Sequence, residues 1–158
     1  MTLFIGIDPG KKGAIALFDP DKHSLHVVDM PLLPRPNGKG EDTNYDLLGD
    51  LLRPPPGMLL QAWVEEVWSM PKEGVSSAHA FGRNNGAIRQ ALACHQIPRH
   101  FVTAGKWKRF FGLSSDKGVS RSKATEFFPA NAQQFARIKD DGRAEAALIA
   151  LYGYEQSR

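Results

Sequence analysis

The order of elements in the sequence predicts an α/β protein, a mixed sheet with helical cover. Three observations carry that expectation. The first thirty residues hold three short apolar, partly β-branched runs separated by turns rich in Gly, Pro and Asp, the mark of consecutive strands. Two further strand-like runs then alternate with helical segments, as in folds whose strands are joined through helices. The final segment is nearly continuously apolar past its first turn, as a buried helix is.

Residues 2–8 read as a buried strand stopped by Asp8-Pro9-Gly10, and Gly13 to Phe18 as its antiparallel partner across a Gly/Lys turn. Leu25 to Met30 is the third strand, after the turn Asp19-Pro20-Asp21. The stretch Pro31 to Gly40 is too broken by Pro and Gly to form an element, so a disordered loop is expected, with a DNA clamp as the alternative. Thr43 is expected to cap a short helix to Leu52, ended by Pro54-Pro55-Pro56-Gly57. Leu59 to Val67 is the fourth strand, and Ser76 or Ser77 opens a helix to about Cys94. Arg99 to Val102 is the fifth strand, after which Thr103 caps a helix through Phe110. Ser120 starts the next helix, which ends near Phe128-Pro129, and the last runs from about Asp141 to Tyr152.

A chain of 158 residues suits one domain, 1–158, with an ordinary soluble core. Nothing in it approaches the ~20 apolar residues of a membrane span, and the start lacks the pattern of a signal peptide. Cys94 is the only cysteine and the five histidines show no paired spacing. A zinc site is therefore not expected, and a reducing, cytoplasmic setting is. The net charge of +3 hides an asymmetry. From Arg99 to Arg143, ten basic residues face four acidic ones, so this segment is +6 and the remainder −3. A solvated basic face is the plain explanation; a polyanionic partner such as nucleic acid is the functional one.

Three separated acidic clusters carry the chemistry. Asp8 ends the first strand inside Gly6-Ile7-Asp8-Pro9-Gly10, where a plain Asp-Pro-Gly turn is the competing explanation. Glu65 and Glu66 interrupt an apolar strand, and because side chains alternate, at most one faces a given site. Asp140, Asp141 and Glu145 open the last helix; Asp141 and Glu145 share a face and repel by roughly 0.2–0.5 kcal/mol if exposed. Buried carboxylates need a cation to offset their desolvation. Acids on two core strands and a helix start are therefore read as a cage for divalent metal. A Walker-type phosphate loop is absent.

The succession Gly-x-Asp-Pro-Gly, Val64-Glu65-Glu66-Val67-Trp68 and Asp141-x-x-x-Glu145-Ala146 resembles the RuvC-type Holliday junction resolvases of the ribonuclease H-like superfamily. Phe81-Gly82-Arg83 to Gly86 adds to the match, and the short length and Asp-Gly-Arg-Ala-Glu-Ala run look closest to phage-type or otherwise divergent members. The resemblance implies a ribonuclease H-like five-stranded mixed sheet with helices on both faces, the first and fourth strands adjacent. It implies a metal-dependent, structure-selective endonuclease that nicks four-way DNA junctions in pairs, with Asp8, Glu65, Asp141 and Glu145 as catalytic metal ligands. Glu65 is preferred to Glu66, while Asp140 stays an alternate to Asp141. Two Mg²⁺ ions roughly 4 Å apart are implied, with Mn²⁺ able to substitute. Other branched DNA, RNA–DNA hybrids, or junction binding without catalysis are the alternatives.

For DNA contact the candidates are Trp68, Arg83, Lys106, Lys108, Arg109, Lys117, Arg121 and Lys123. Trp107 and Phe110 are expected to face the core, leaving Lys106, Lys108 and Arg109 outward for phosphates. Trp68, three residues past Glu65, matches an aromatic that stacks at the crossover in the family. Ala78, Gly82 and Gly86 form a smooth stripe expected to pack on the protein's own sheet, with pairing in a homodimer as the alternative. Cys94 is expected to be a buried small hydrophobe.

Overall fold

A computed structural model describes residues 2–68 and 74–158, the side chain of Lys117 excepted. In chain order it contains β1 (Thr2–Asp8), β2 (Ala14–Asp19), β3 (Ser24–Asp29), β4 (Leu32–Pro34), β5 (Glu41–Thr43) and α1 (Tyr45–Leu51). There follow β6 (Leu59–Glu65), α2 (Val75–Cys94), β7 (Arg99–Val102), α3 (Ala104–Phe110), α4 (Lys117–Phe127) and α5 (Asp141–Gln156). Two 3₁₀ stretches, Pro129–Phe135 and Ile138–Asp140, connect the last two helices.

The main sheet has the order β3-β2-β1-β6-β7. The first three strands are antiparallel neighbours, whereas β6 runs parallel to β1 and β7 parallel to β6. Because β1 is central it is buried on both faces, which explains its unbroken apolar sequence. Leu3, Ile5 and Ile7 join Leu48 and Leu52 of the α1 segment and Ile88 and Leu92 of α2 in one core. Phe4 and Phe18 belong to the other core, with Trp107, Ala124 of α4 and the whole middle of α5. Helices thus cover both faces. α5 is buried from Gly142 to Gly153, except that Arg143 is partly open, being sandwiched between sheet and α4. Among the described residues no helix is long and apolar enough to cross a membrane.

Several local expectations are corrected. The Pro31 to Gly40 stretch is not a structureless loop: Leu32, Leu33 and Pro34 pair with Thr43, Asp42 and Glu41 in a separate two-stranded ribbon. Leu32 to Pro34 lie inside the Pro/Gly run and their partners just beyond it, and strands of three residues are too short to show a periodicity. Asn44, not Thr43, caps α1, accepting from the Leu47 N–H, because the Thr43 hydroxyl is bonded to Asn84 instead. α4 begins before Ser120, capped by the Asp116 carboxylate on the Gly118 N–H, and α2 begins at Val75 after Gly74. The face of α2 turned to the sheet carries Asn84, Ile88 and Leu92. Gly82 and Gly86 are exposed with open space where a side chain would be, so the stripe does not pack on the sheet as expected. Cys94 is exposed too, accepting from the Gln90 amide at 3.2 Å.

Gly6 is where α5 lies closest to the sheet: a Cβ there would overlap the backbone of Ala146 and Ala150. Neither partner is a flexible side-chain end, so the helix itself would have to shift. Gly6→Ala is expected to lower stability by about 1–3 kcal/mol or more, read as a reduced urea midpoint.

A carboxylate cleft as the candidate active site

The parallel pair β1 and β6 ends in register at Ile7 and Val64, so Asp8 and Glu65 emerge side by side at one end of the sheet. The turn after Asp8 is tight: the Gly10 N–H donates to Asp8 Oδ1 at 3.4 Å, and the Gly13 N–H to the Gly10 carbonyl at 2.8 Å. Buried Asn84 of α2 fastens this turn, donating its amide to the Pro9 carbonyl and accepting from the Thr43 hydroxyl at 2.8 Å. On α5, Asp141 and Glu145 stand one turn apart. Gly142 lets the start of α5 press on the β1–β2 turn, since a Cβ there would overlap the Lys12 carbonyl. Backbone contact at Gly142 thereby delivers the helix acids to the strand acids.

Asp8, Glu65, Asp141 and Glu145 line one cleft of about 1080 Å³, with Lys11, Lys12, Lys108 and Lys139 also on its walls. Each acid has company. The buried Trp107 indole donates to Glu65 Oε2 at 2.8 Å. Arg121 Nε donates to Asp141 Oδ1 at 2.9 Å. Lys108 Nζ lies 2.9 Å from Glu145 Oε1 as an ion pair, yet that buried oxygen accepts no hydrogen bond. Among the described residues, no three His, Cys, Asp or Glu side chains converge closely enough to hold a metal ion. The chemistry of the donors nevertheless fits a hard divalent cation: four carboxylates in one cleft, one buried oxygen lacking a donor, and cationic side chains already in place against two of them.

The alternates have other engagements. Glu66 points away from the cleft toward Arg89 at 3.9 Å, as strand alternation requires. Asp140, only 2% exposed, also borders the cleft but is held by Arg137, whose guanidinium and N–H bond its two oxygens at 2.8 and 2.9 Å. Arg143 approaches Asp140 at 3.9 Å and clasps Asp29 in a bidentate pair at 2.6 and 2.7 Å. The Arg137 hydrogen bonds hold the Asp140 carboxyl below the usual aspartate range against its burial. The Arg143 hydrogen bonds do the same for Asp29.

The basic residues divide into two sets. Trp68 (72% exposed), Lys106 and Arg109 face solvent as expected. Lys108 does not: it turns inward because the buried Glu145 charge needs a partner. Arg121 is likewise drawn to Asp141, Arg83 to Asp42 at 2.7 Å, and Lys123 to Glu126 at 2.7 Å. The side chain of Lys117 lies outside the described part. Phe110 is half-exposed at 48%, edge-on to Tyr152, and not in the core. Sequence reasoning missed the Trp107 bond to Glu65, the Asn84 clamp and the Asp29–Arg143 pair. All three join residues more than forty positions apart, and no local spacing signals them.

No family model matches the chain, and no curated protein matches it. Among solved structures it is similar to T. thermophilus RuvC in complex with a Holliday junction substrate, at 18% identity and a TM-score of 0.63. That likeness covers 99% of this chain and 96% of the other. The chain therefore has a RuvC-like fold.

The lowered carboxyls of Asp140 and Asp29 stabilise the folded state wherever they are ionised in it, which is fully so above the unfolded aspartate value near 3.8. The contribution is lost as pH falls through their lower folded values. Melting temperature is expected to drop on acidification below about pH 4, and Asp140→Asn to lower it at pH 7 while flattening that acid limb.

Proposed function

We propose that the protein is a metal-dependent, structure-selective DNA endonuclease that nicks four-way junctions. The observation that supports this best is the cleft: acids from two adjacent strand ends and the start of the buried helix line one cavity bordered by lysines. The substrate class is drawn from the similarity to a RuvC solved with a Holliday junction and from the basic segment Arg99 to Arg143.

Asp8, Glu65, Asp141 and Glu145 would hold Mg²⁺, with Mn²⁺ as a substitute. The metal, when bound, supplies a Lewis acid that activates water and stabilises the departing oxygen of a phosphodiester. The chain's own residues prepare the cleft for it. Trp107 orients Glu65, Gly142 sets the height of Asp141 and Glu145, and Lys108 and Arg121 neutralise the helix acids until a dication replaces them. Lys106 and Arg109, exposed on α3, contact phosphates beside the cleft.

A homodimer is part of the proposal. A four-way junction is approximately two-fold symmetric, so a C2 pair presents an identical cleft to each of two opposed strands. The exposed Gly82/Gly86 stripe of α2 supports this reading, since a second backbone meets no obstacle there. Junction binding without cutting is the second reading. What favours it is that Lys108 and Arg121 already neutralise two acids while no three-acid group is formed.

With Mg²⁺ and a synthetic four-way junction, paired symmetric nicks are expected. Asp8→Asn is expected to cut at background level with junction affinity unchanged. Binding without nicks by the wild-type chain would leave only the second reading. Metal binding has its own readout: Mg²⁺ at a hundred times its Kd should add about 2.7 kcal/mol of stability, and Asp8→Asn should lose that gain. Gly82→Glu is expected to fold, because its side chain enters open space, and to sediment as a monomer where the wild type sediments as a dimer.

A further inference from the structure

At the end of the sheet where Asp8 and Glu65 emerge, the strand order sets acids in the middle and cations on two flanks. β7 leads into α3 with Lys106 and Arg109 on one side. On the other, the β1–β2 turn carries Lys11 and Lys12, and β3, parallel to β1 through two antiparallel steps, leads into the β4–β5 hairpin. The β3 and β7 edges stand about 19 Å apart across the five strands, with the β1–β2 turn and its lysines between them.

That hairpin has no strand neighbour outside itself, and three-residue strands alone are marginal in water. It is fastened along its second strand. Lys11 Nζ donates to the Glu41 carbonyl at 2.7 Å, Arg83 pairs with Asp42 at 2.7 Å, Thr43 bonds Asn84 at 2.8 Å, and the Asn44 N–H bonds the Pro31 carbonyl at 2.9 Å. Leu32 at the base and Glu41, the residue next to the tip, line the cleft. The tip, Arg35-Pro36-Asn37-Gly38-Lys39-Gly40, projects beyond it. Gly38 and Gly40 turn the chain with φ of 70° and 82°, and the Arg35 N–H closes on the Gly40 carbonyl at 3.0 Å. The tip holds two cations and no acid. Among the described residues, neither the Arg35 nor the Lys39 side chain makes a hydrogen bond or ion pair, nor does that of Lys12 at the cleft wall. Leu32 packs the ribbon onto the core, whereas at the tip Lys39 stands in solvent and Arg35 is half-buried.

We infer that the β4–β5 hairpin is a DNA-gripping arm. Arg35 and Lys39 at its tip hold phosphates of a duplex arm of branched DNA other than the one lying in the cleft. The inference rests on the nuclease reading and names which surface recognises the branch. α3 and the hairpin lie toward opposite edges of the sheet, so a duplex contacted from α3 and a second arm leaving the branch point each meet cations of their own.

The test uses the full chain in the uncut Asp8→Asn background, with fluorescence anisotropy on a four-way junction and on a linear duplex of equal length. Arg35→Ala/Lys39→Ala is expected to weaken junction binding about tenfold and to reduce the salt slope of log K by about 1.8, near 0.9 per lost phosphate contact. Linear-duplex binding should move less than about twofold, within the spread of a non-specific contact. Unchanged junction binding, or equal losses on both DNAs, overturns the arm. Lys106→Ala/Arg109→Ala is the control. If it weakens binding while the hairpin variant does not, the arm alone is overturned. If neither variant matters and the parent protein ignores junctions, the nuclease reading falls with it.

Discussion

The fold depends on how closely α5 lies on β1. Strand β1 is the middle of the sheet and α5 the middle of one core, and their backbones touch at Gly6 and, through the β1–β2 turn, at Gly142. Removing two side chains brings a helix nearer to a sheet than the usual layer distance of about 10 Å permits. The catalytic proposal is built on that nearness. Asp141 and Glu145 are far from Asp8 in sequence and near it in space because nothing larger than hydrogen separates the elements carrying them.

Electrostatics sets the second constraint. The four proposed ligands repel one another and lose hydration, and each is offset by a specific group: the Gly10 N–H for Asp8, an indole N–H for Glu65, a guanidinium for Asp141 and an ammonium for Glu145. Asp140 is relieved separately by Arg137. The cleft is therefore charged and internally compensated, and the proposed dication would meet side chains of its own sign already there. Two such ion pairs on α3 and α4 link the occupancy of the cleft to the two helices that carry most of the exposed basic residues.

The sheet and its order of elements were legible because periodicity and turn residues are local. β1, β3, β7 and α3 start and end within about a residue of where the pattern places them. The acids were legible for a different reason: charge inside an apolar run is conspicuous wherever it occurs. What stayed hidden is non-local. Lys108 faces inward because of Glu145, thirty-seven positions away, and helix periodicity alone made it a surface residue. The hairpin was missed because its strands are three residues long and its anchors, Arg83 and Asn84, belong to α2. Thr43 was misread as a cap because its hydroxyl answers that same tertiary demand.

The Trp107 indole has a consequence beyond orienting Glu65. It is fully buried, it touches an acid proposed to bind metal, and its N–H is committed to that acid. Trp68 by contrast stands in solvent. Trp63, half-buried against His100, is the third tryptophan, so with Trp63 and Trp68 replaced by Phe the emission that remains arises next to the cleft. The protein carries an intrinsic fluorophore wired to Glu65, and the state of that carboxylate is written into light that needs no label to collect.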